Sequence, residues 1–175
     1  ICFYLCCLCL IFCFRCNCTL PALPFISQHK GSKYNVQDEK GRIIYTIKKK
    51  GFGGKMQLFD ASGYEMYTMT SDFSQKHPSF DILLDGNPYI MVKCKSRFLD
   101  PSIVGQGNMG TYWLKSQDRM RFELTKDDVN IGSILSQPMP KGDVQFEMTI
   151  NDKEFDDALV LFAVCIDFSF YKYKK

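Results

Sequence analysis

The chain has 175 residues, enough for one domain with a sizeable core, and 46% of them are hydrophobic and 23% charged. These proportions exclude collagen-like, low-complexity and wholly disordered proteins. The formal net charge is only +3, without the strong basic excess that is typical of nucleic-acid-binding proteins.

Cysteine usage separates the N-terminus from the rest of the chain. Seven of the nine cysteines lie within the first eighteen residues, and only Cys94 and Cys165 follow. A disulfide framework would distribute its cysteines through the fold. The body of the protein is therefore predicted to belong to a reducing compartment, the cytoplasm.

The first fourteen residues are uncharged and apolar, and Arg15 ends the run. As a helix they would extend about 21 Å, short of the ~30 Å hydrocarbon core of a bilayer. Three interpretations stay open: a truncated signal peptide or signal anchor, a palmitoylated cysteine cluster beside a membrane, and a translated non-coding stretch. The candidate lipidation sites are Cys6, Cys7, Cys9, Cys13, Cys16 and Cys18.

A zinc site is the weakest interpretation of this segment. Cys6 and Cys9 form one Cys-x-x-Cys pair, and Cys13 and Cys16 form a second. The gap between the pairs is three residues long and holds no glycine, so the chain could hardly fold back around a metal.

A proline-containing stretch, Leu20–Pro24, would break any helix and serve as a linker. We therefore expect residues 1–27 to lie outside the fold and residues 28–175 to form a single domain.

Between Tyr34 and Ile150 the sequence consists of short runs rich in β-branched and aromatic residues, separated by turn signals. The short spacing predicts antiparallel hairpins, because a parallel pair needs a crossover of a dozen or more residues. Trp113, in one of these runs, is expected in the core. The predicted strands are Arg42–Lys48, Met56–Phe59, Tyr64–Met69, Phe80–Leu84, Tyr89–Lys95, Thr111–Lys115, Met120–Leu124, Ile131–Leu135 and Val144–Ile150.

An internal repeat supports this interpretation. Residues 36–47 align with residues 58–69 at an offset of 22, with Asp38 over Asp60 and Gly41 over Gly63. Each copy predicts a strand, an Asp-x-x-Gly turn and a second strand, and residues 82–91 form a looser third copy. Repeated hairpins make a meander, and a long meander closes into a barrel to remove its edges.

The C-terminus departs from the strand pattern. Four acidic residues between positions 152 and 157 precede the apolar run 158–166, which suits a helix N-terminus. The run is apolar on every face and too short to span a bilayer. We predict a buried core helix from about Glu154 to Tyr171.

Three segments carry a resemblance to a known family. Tyr34–Lys48 is similar to the opening hairpin, and Lys55–Met66 to the second hairpin, of the LURP-one-related and phospholipid scramblase branch of the tubby C-terminal-like superfamily. Phe162–Tyr171 resembles the end of the scramblase helix. The resemblance covers about residues 33–172 and implies a closed antiparallel barrel of about twelve strands wrapped around a central hydrophobic C-terminal helix.

The chain also departs from the scramblase pattern. Scramblases carry an acidic calcium-binding loop before the helix, whereas Gly142–Glu154 retains acidic residues without that spacing or the spacing of an EF-hand. The scramblase cysteine cluster within the barrel is absent too. The chain is therefore closer to the LURP-one-related proteins, and we expect no metal site.

The sequence offers no convincing catalytic constellation. It has two histidines, His29 and His77, and neither stands beside an evident nucleophile. Cys165 lies within the apolar helix, where a thiol is normally inert. Gly51–Lys55 resembles a phosphate-binding loop only superficially, because Lys55 leads into a strand rather than a helix. We predict a non-enzymatic protein without a cofactor.

One basic cluster remains as a candidate site. Residues 30–56 hold eight basic and two acidic residues, a net charge of +6, so the rest of the chain sums to −3. Basic residues near an anionic membrane contribute ~1 kcal/mol each, and an aromatic side chain can insert. The tubby resemblance implies phosphoinositide-like lipid as the ligand, and the alternative is a solvated charge run that protects a strand edge. The predicted lipid- or anion-binding residues are Lys48, Lys49, Lys50, Phe52 and Lys55.

These patterns leave three functions open. The first is peripheral binding to anionic membrane lipid or to an acidic protein surface, the second scramblase-like movement of lipids between leaflets, and the third a protein-interaction scaffold. We expect a monomeric, cytoplasmic, membrane-associated protein that does not bind nucleic acid.

Overall fold

The computed structural model describes residues 25–29, 33–51, 54–74, 76–140 and 142–172. Strands account for most of these residues, and the helical segments follow at the C-terminus. The strands are β1 (Phe25–His29), β2 (Lys33–Gln37), β3 (Ile43–Lys49), β4 (Met56–Asp60), β5 (Glu65–Asp72), β6 (Ser79–Leu84), β7 (Asn87–Ser96), β8 (Ser102–Gly107), β9 (Gly110–Lys115), β10 (Arg121–Lys126), β11 (Val129–Pro138) and β12 (Val144–Ile150).

The strands β2 to β12 form one continuous antiparallel meander, in which each strand pairs with the next. β1 pairs with β2 through five residue pairs and with β12 through three. The prediction of a mainly antiparallel β fold with one C-terminal helix is confirmed.

The first strand begins earlier than the sequence indicated. β1 starts at Phe25, and Ile26 is fully buried in the core. The predicted boundary after residue 27 therefore falls inside β1, which holds only two apolar residues and directly follows Pro24. The six candidate lipidation cysteines lie outside the described residues.

The repeated Asp-x-x-Gly segments form two equivalent turns. Asp38 accepts hydrogen bonds from the backbone N–H groups of Lys40 and Arg42, each at 2.9 Å. Asp60 accepts from the backbone N–H groups of Ser62 and Tyr64 at 2.8 and 2.9 Å. The glycine that ends each turn has a positive φ, +73° at Gly41 and +89° at Gly63. The internal repeat thus encodes two hairpins with the same turn chemistry.

The predicted helix from Glu154 to Tyr171 is wrong in extent. Only α1 (Val160–Ile166) is α-helical; a 3-10 turn, Asp157–Leu159, precedes it and a π-helical turn, Asp167–Lys172, follows it. Asp156 is extended and its carboxylate accepts a hydrogen bond from the Ala158 N–H at 2.8 Å. The acidic residue therefore caps the 3-10 turn instead of lying inside the helix.

The helix lies inside the sheet, and every residue of α1 is buried. Aromatic side chains from distant strands contact it: the ring of Phe162 meets Tyr112 of β9 edge-to-face, with centroids 5.7 Å apart. Phe122 of β10 contacts Phe170 in the π-helical turn at 5.2 Å. The prediction of a buried core helix is confirmed.

Two features of β8 and β9 differ from expectation. β8 was not predicted, because its glycines hide the strand pattern. An ideal Cβ on Gly105 would lie 2.9 Å from the Phe162 ring, so glycine makes room for the helix. Trp113 does not lie in the core: Tyr112 and Leu114 face inward, and Trp113 between them is only half-buried on the outer face, 5.2 Å from the Lys115 ammonium.

Candidate functional site

The predicted lysine cluster occupies the hairpin between β3 and β4. Lys48 and Lys49 are the last two residues of β3, and Lys50 follows them. The Lys50 N–H donates to the Lys55 carbonyl at 2.9 Å, which closes the base of the hairpin, and Gly51 turns the chain with a φ of +63°. Lys48, Lys49 and Lys50 are exposed, whereas Lys55 is half-buried. The predicted residue Phe52 lies outside the described residues.

The sheet adds a residue that sequence reasoning did not single out. Lys33 at the start of β2 pairs directly with Lys48 on β3, and Lys48 in turn pairs with Gln57 on β4. Two lysines thus stand side by side on the outer surface, an arrangement that is electrostatically unfavourable without an anion nearby. The Lys48 ammonium also lies 5.1 Å from the centroid of the Phe59 ring. The strand register, which a single sequence does not reveal, creates this pair.

One carboxylate borders the lysine cluster. Glu65 on β5 accepts hydrogen bonds from the side chains of Gln57 and Thr68, the latter at 2.8 Å. These hydrogen bonds, with smaller contributions from Lys50 and Lys55, hold the pKa of Glu65 below its ordinary value. Among the described residues, Lys48, Lys49 and Lys50 form no ion pair within 4.0 Å. The positive charge of these three lysines is therefore not neutralised by an ion pair within the described part of the chain.

A second polar cluster surrounds the start of the helix. Asp156 accepts hydrogen bonds from the hydroxyls of Tyr67 and Tyr89, the former at 3.4 Å, and Asp157 accepts from Tyr45. Burial together with these carboxylates raises the pKa of Tyr67 to about 12. These tyrosines are therefore neutral hydrogen-bond donors that fix the helix entrance.

A cavity of about 290 Å³ opens beside this cluster. Its walls include Tyr112, Lys126 and Glu154, and the ammonium of Lys126 forms an ion pair with the Glu154 carboxylate at 2.9 Å. Sequence reasoning had treated these acids only as helix-start signals. No sequence pattern links Tyr45, Tyr67 and Tyr89 on the strands to Asp156 and Asp157, which lie about a hundred positions later in the chain.

The opposite end of the helix holds a buried ionic group. The Asp167 carboxylate accepts a hydrogen bond from the Tyr34 hydroxyl at 2.5 Å and forms an ion pair with the Lys172 ammonium at 2.6 Å. Its other oxygen, Oδ1, is buried without a hydrogen-bond partner. Desolvation and the neighbouring carboxylate raise the pKa of Tyr34 well above its ordinary value. This group joins the C-terminal turn to β2.

The two cysteines of the domain are buried. Desolvation raises the pKa of the Cys94 thiol to about 11 and raises that of Cys165 as well. Since the thiolate is the nucleophilic form, burial makes both poor nucleophiles. Within the described residues, no group of three or more His, Cys, Asp or Glu side chains is placed to hold a metal ion. The helices in this part of the chain are all too short or too polar to span a membrane.

Comparison with known proteins gives the chain a family. Its sequence matches the model of the LURP-one-related family over residues 25–167. The chain belongs to the LURP-one-related family. This family is part of the tubby-like superfamily, so the resemblance noted in the sequence is confirmed. Members are generally non-enzymatic.

Two further comparisons were made, one with solved structures and one with curated proteins. It is similar to an Arabidopsis thaliana protein whose structure was determined by X-ray methods, with 14% sequence identity and a TM-score of 0.38. That similarity covers 83% of this chain and 89% of the Arabidopsis chain. Curated proteins give no sequence match.

Proposed function

We propose that this LURP-one-related domain is a non-enzymatic module that binds anionic membrane lipid peripherally through the β3–β4 hairpin. The observation that supports the proposal is the exposed lysine group of Lys33, Lys48, Lys49 and Lys50, which has no ion-pair partner among the described residues. Phosphate headgroups would supply the missing negative charge at ~1 kcal/mol per lysine near the surface.

The sheet provides a rigid support for this hairpin. β1 pairs with both β2 and β12, which supports a closed barrel of twelve strands around α1 as the frame. In such a frame β3 and β4 are both paired on each side, so the hairpin projects from an ordered base. A fixed set of charges loses less conformational entropy when it binds a headgroup than a flexible tail does.

Vesicle binding tests the proposal directly. Cosedimentation of the protein with phosphatidylcholine vesicles, with and without phosphatidylserine or a phosphoinositide, measures its affinity for each lipid. We expect binding only to the anionic vesicles, and weaker binding as the ionic strength rises past 0.15 M, where the Debye length is about 8 Å.

A charge-matched pair of variants makes the test specific to the hairpin. Lys48→Gln/Lys49→Gln/Lys50→Gln removes three exposed charges and should weaken binding about tenfold or more. The control, Lys40→Gln/Lys93→Gln/Lys153→Gln, removes three exposed charges elsewhere and should have a much smaller effect. Equal losses in the two variants would show a general charge effect, and the absence of parent binding to any anionic vesicle would overturn the proposal.

A further inference from the structure

Because successive strands are antiparallel, the connections between them lie alternately at two opposite ends of the sheet. We call one end the hairpin end; it is formed by the connections that follow odd-numbered strands and includes the β3–β4 hairpin. The other end, formed by the connections that follow even-numbered strands, is the helix-entry end. Among the described residues, the connections of the hairpin end hold five basic and three acidic residues. Those of the helix-entry end, including residues 151–159, hold three basic and nine acidic residues. Charge is therefore distributed unevenly along the helix direction, with a basic excess at the hairpin end and an acidic excess at the helix-entry end.

Among the described residues of the hairpin end, the most exposed apolar side chains lie in the connection between β7 and β8. Phe98 is 68% exposed and Leu99 is 100% exposed. Met120 and Met139, in the next two connections of the same end, are also exposed. Together these residues give the hairpin end an apolar rim, separate in sequence from the lysine cluster.

Arginine side chains flank the apolar tip. The guanidinium carbons of Arg97 and Arg119 lie 5.5 and 5.3 Å from the centroid of the Phe98 ring. Residues 95–121 hold five basic and two acidic residues. One of the two acids, Asp118, accepts hydrogen bonds from the backbone N–H groups of Met120 and Arg121 and so has a structural role. The surroundings of the apolar tip are therefore positive.

Hydrogen bonds join the base of the β7–β8 connection to the π-helical turn Asp167–Lys172. Arg97 Nε donates a hydrogen bond to the Ser169 carbonyl at 2.9 Å, and the Tyr171 hydroxyl donates to the Arg119 carbonyl at 2.7 Å. These bonds fix both flanking arginines to the end of the buried helical segment. Phe98 and Leu99 thus project from an ordered base.

We infer that Phe98 and Leu99 form a hydrophobic anchor that enters the interfacial region of an anionic bilayer, with Arg97 and Arg119 at headgroup level. Apolar side chains that project beyond cationic ones suit this interface, where the tip leaves water and the guanidinium groups remain near phosphate. The inference rests on the proposed membrane-binding function, because the anchor and the lysine cluster occupy the same end of the molecule. It adds a second contact and an orientation, with the acidic helix-entry end facing away from the membrane.

An introduced tryptophan measures insertion directly. In a Trp113→Phe background, which removes the single native indole, Leu99→Trp places a probe at the tip and Tyr64→Trp places one at an exposed position of the helix-entry end. On phosphatidylcholine–phosphatidylserine vesicles we expect the Leu99→Trp emission to shift to the blue and to be quenched by lipids that carry a quencher on the acyl chain. The Tyr64→Trp emission should stay unchanged.

Affinity provides a second measurement. Phe98→Ser/Leu99→Ser should weaken vesicle binding about fivefold or more, because burial of each side chain is worth a sizeable hydrophobic free energy. Unlike the lysine variant, it should leave the salt dependence of binding unaltered, since no charge is lost. The control Val129→Ser, which truncates an exposed apolar residue of the helix-entry end, should bind like the parent.

The outcomes separate the two proposals. If the parent binds anionic vesicles but Leu99→Trp shows no shift or quenching and Phe98→Ser/Leu99→Ser binds normally, the anchor is overturned and the lysine site stands. If the parent binds no vesicles, both proposals fall. In that case a loss of self-association on sedimentation of Phe98→Ser/Leu99→Ser would assign the tip to a contact between copies of the chain.

Discussion

Tyr34 and Asp167 are 133 positions apart in sequence, yet the Tyr34 hydroxyl donates a hydrogen bond of 2.5 Å to the Asp167 carboxylate inside the sheet. Both side chains are fully buried. The ammonium of Lys172 lies 2.6 Å from the same carboxylate and 2.8 Å from the tyrosine oxygen. This three-residue group fastens the end of the helical segment to β2.

Tyr34→Phe should destabilise the protein by about 1–3 kcal/mol, because a buried carboxylate loses a hydrogen-bond donor while little side-chain volume is lost. For a chain of this size, that corresponds to a fall in the thermal midpoint of roughly 2–4 °C for each kcal/mol. Differential scanning calorimetry measures the effect. Tyr64→Phe, at an exposed turn position, is the matched control and should melt like the parent.

Stability should fall at alkaline pH. The pKa of Tyr67 is raised from 10.0 to about 12. Burial raises the pKa of Tyr34 and Tyr45, and the hydrogen bond to Asp156 raises that of Tyr89. Above pH 10 these tyrosines lose their protons in the unfolded chain but keep them in the folded chain. The free energy of unfolding therefore decreases as the pH rises. The contribution is complete below pH 10 and is lost as the pH rises toward the folded-state values.

Urea unfolding at a series of pH values tests this dependence. We expect the free energy of unfolding to decline from about pH 10 upward. Tyr45→Phe/Tyr89→Phe should flatten the decline, because two of the responsible protons are removed. A stability that stays constant up to pH 12 would contradict the hydrogen-bond assignments at the helix entrance.

Ala163→Asp should prevent stable folding. Ala163 is fully buried in α1, and an unpaired carboxylate there would cost several kcal/mol, comparable to the whole stability of a domain. Soluble yield and circular dichroism provide the measurements. Ala163→Ser, a far smaller polar change, is the control, and a variant with aspartate that melts like the parent would refute the burial of α1.

Gly105→Ala should destabilise the protein by about 1–3 kcal/mol through overpacking, because the new methyl group would meet the Phe162 ring at 2.9 Å. In a Phe162→Leu background, which shortens the opposing side chain, the same substitution should cost less. A double-mutant cycle measured by chemical denaturation gives this coupling. Additive effects would show that the contact does not constrain position 105.

Deletion of residues 1–29 should lower the thermal midpoint by more than ~5 °C, because it removes β1 and leaves the backbone groups of β2 and β12 without their partners. Deletion of residues 1–24 keeps β1 and is the matched comparison, for which we expect little change. Thermal melts of the two truncated proteins locate the start of the domain. An equally large drop in both would place it before Phe25.

The sequence alone predicted those hairpin turns whose contacts are all local. The turns at Asp38 and Asp60 could be predicted because the aspartate carboxylate bonds to backbone N–H groups no more than four residues away. The position of Trp113 was not readable, since inward or outward orientation depends on the strand register.

Long-range contacts explain the remaining differences. Lys33 joined the candidate site only through its pairing with Lys48. Gly105 signals a loop in isolation, although it lies in a strand that the Phe162 ring approaches closely. Asp156 and Asp157 accept hydrogen bonds from tyrosines of strands in the first half of the chain, and the sequence alone does not show that these strands lie beside them.

The position of the buried helix after all twelve strands in chain order has a consequence for biosynthesis. The strands leave the ribosome first, and their inward-facing apolar side chains have no helix to pack against until residues 158–172 emerge. Throughout translation the nascent chain therefore exposes both apolar surface and unpaired strand edges, the features that promote aggregation. A premature stop codon before Ala158 would remove the helix. We expect the truncated product to be bound by chaperones and degraded by proteases, and not to form a partly active domain.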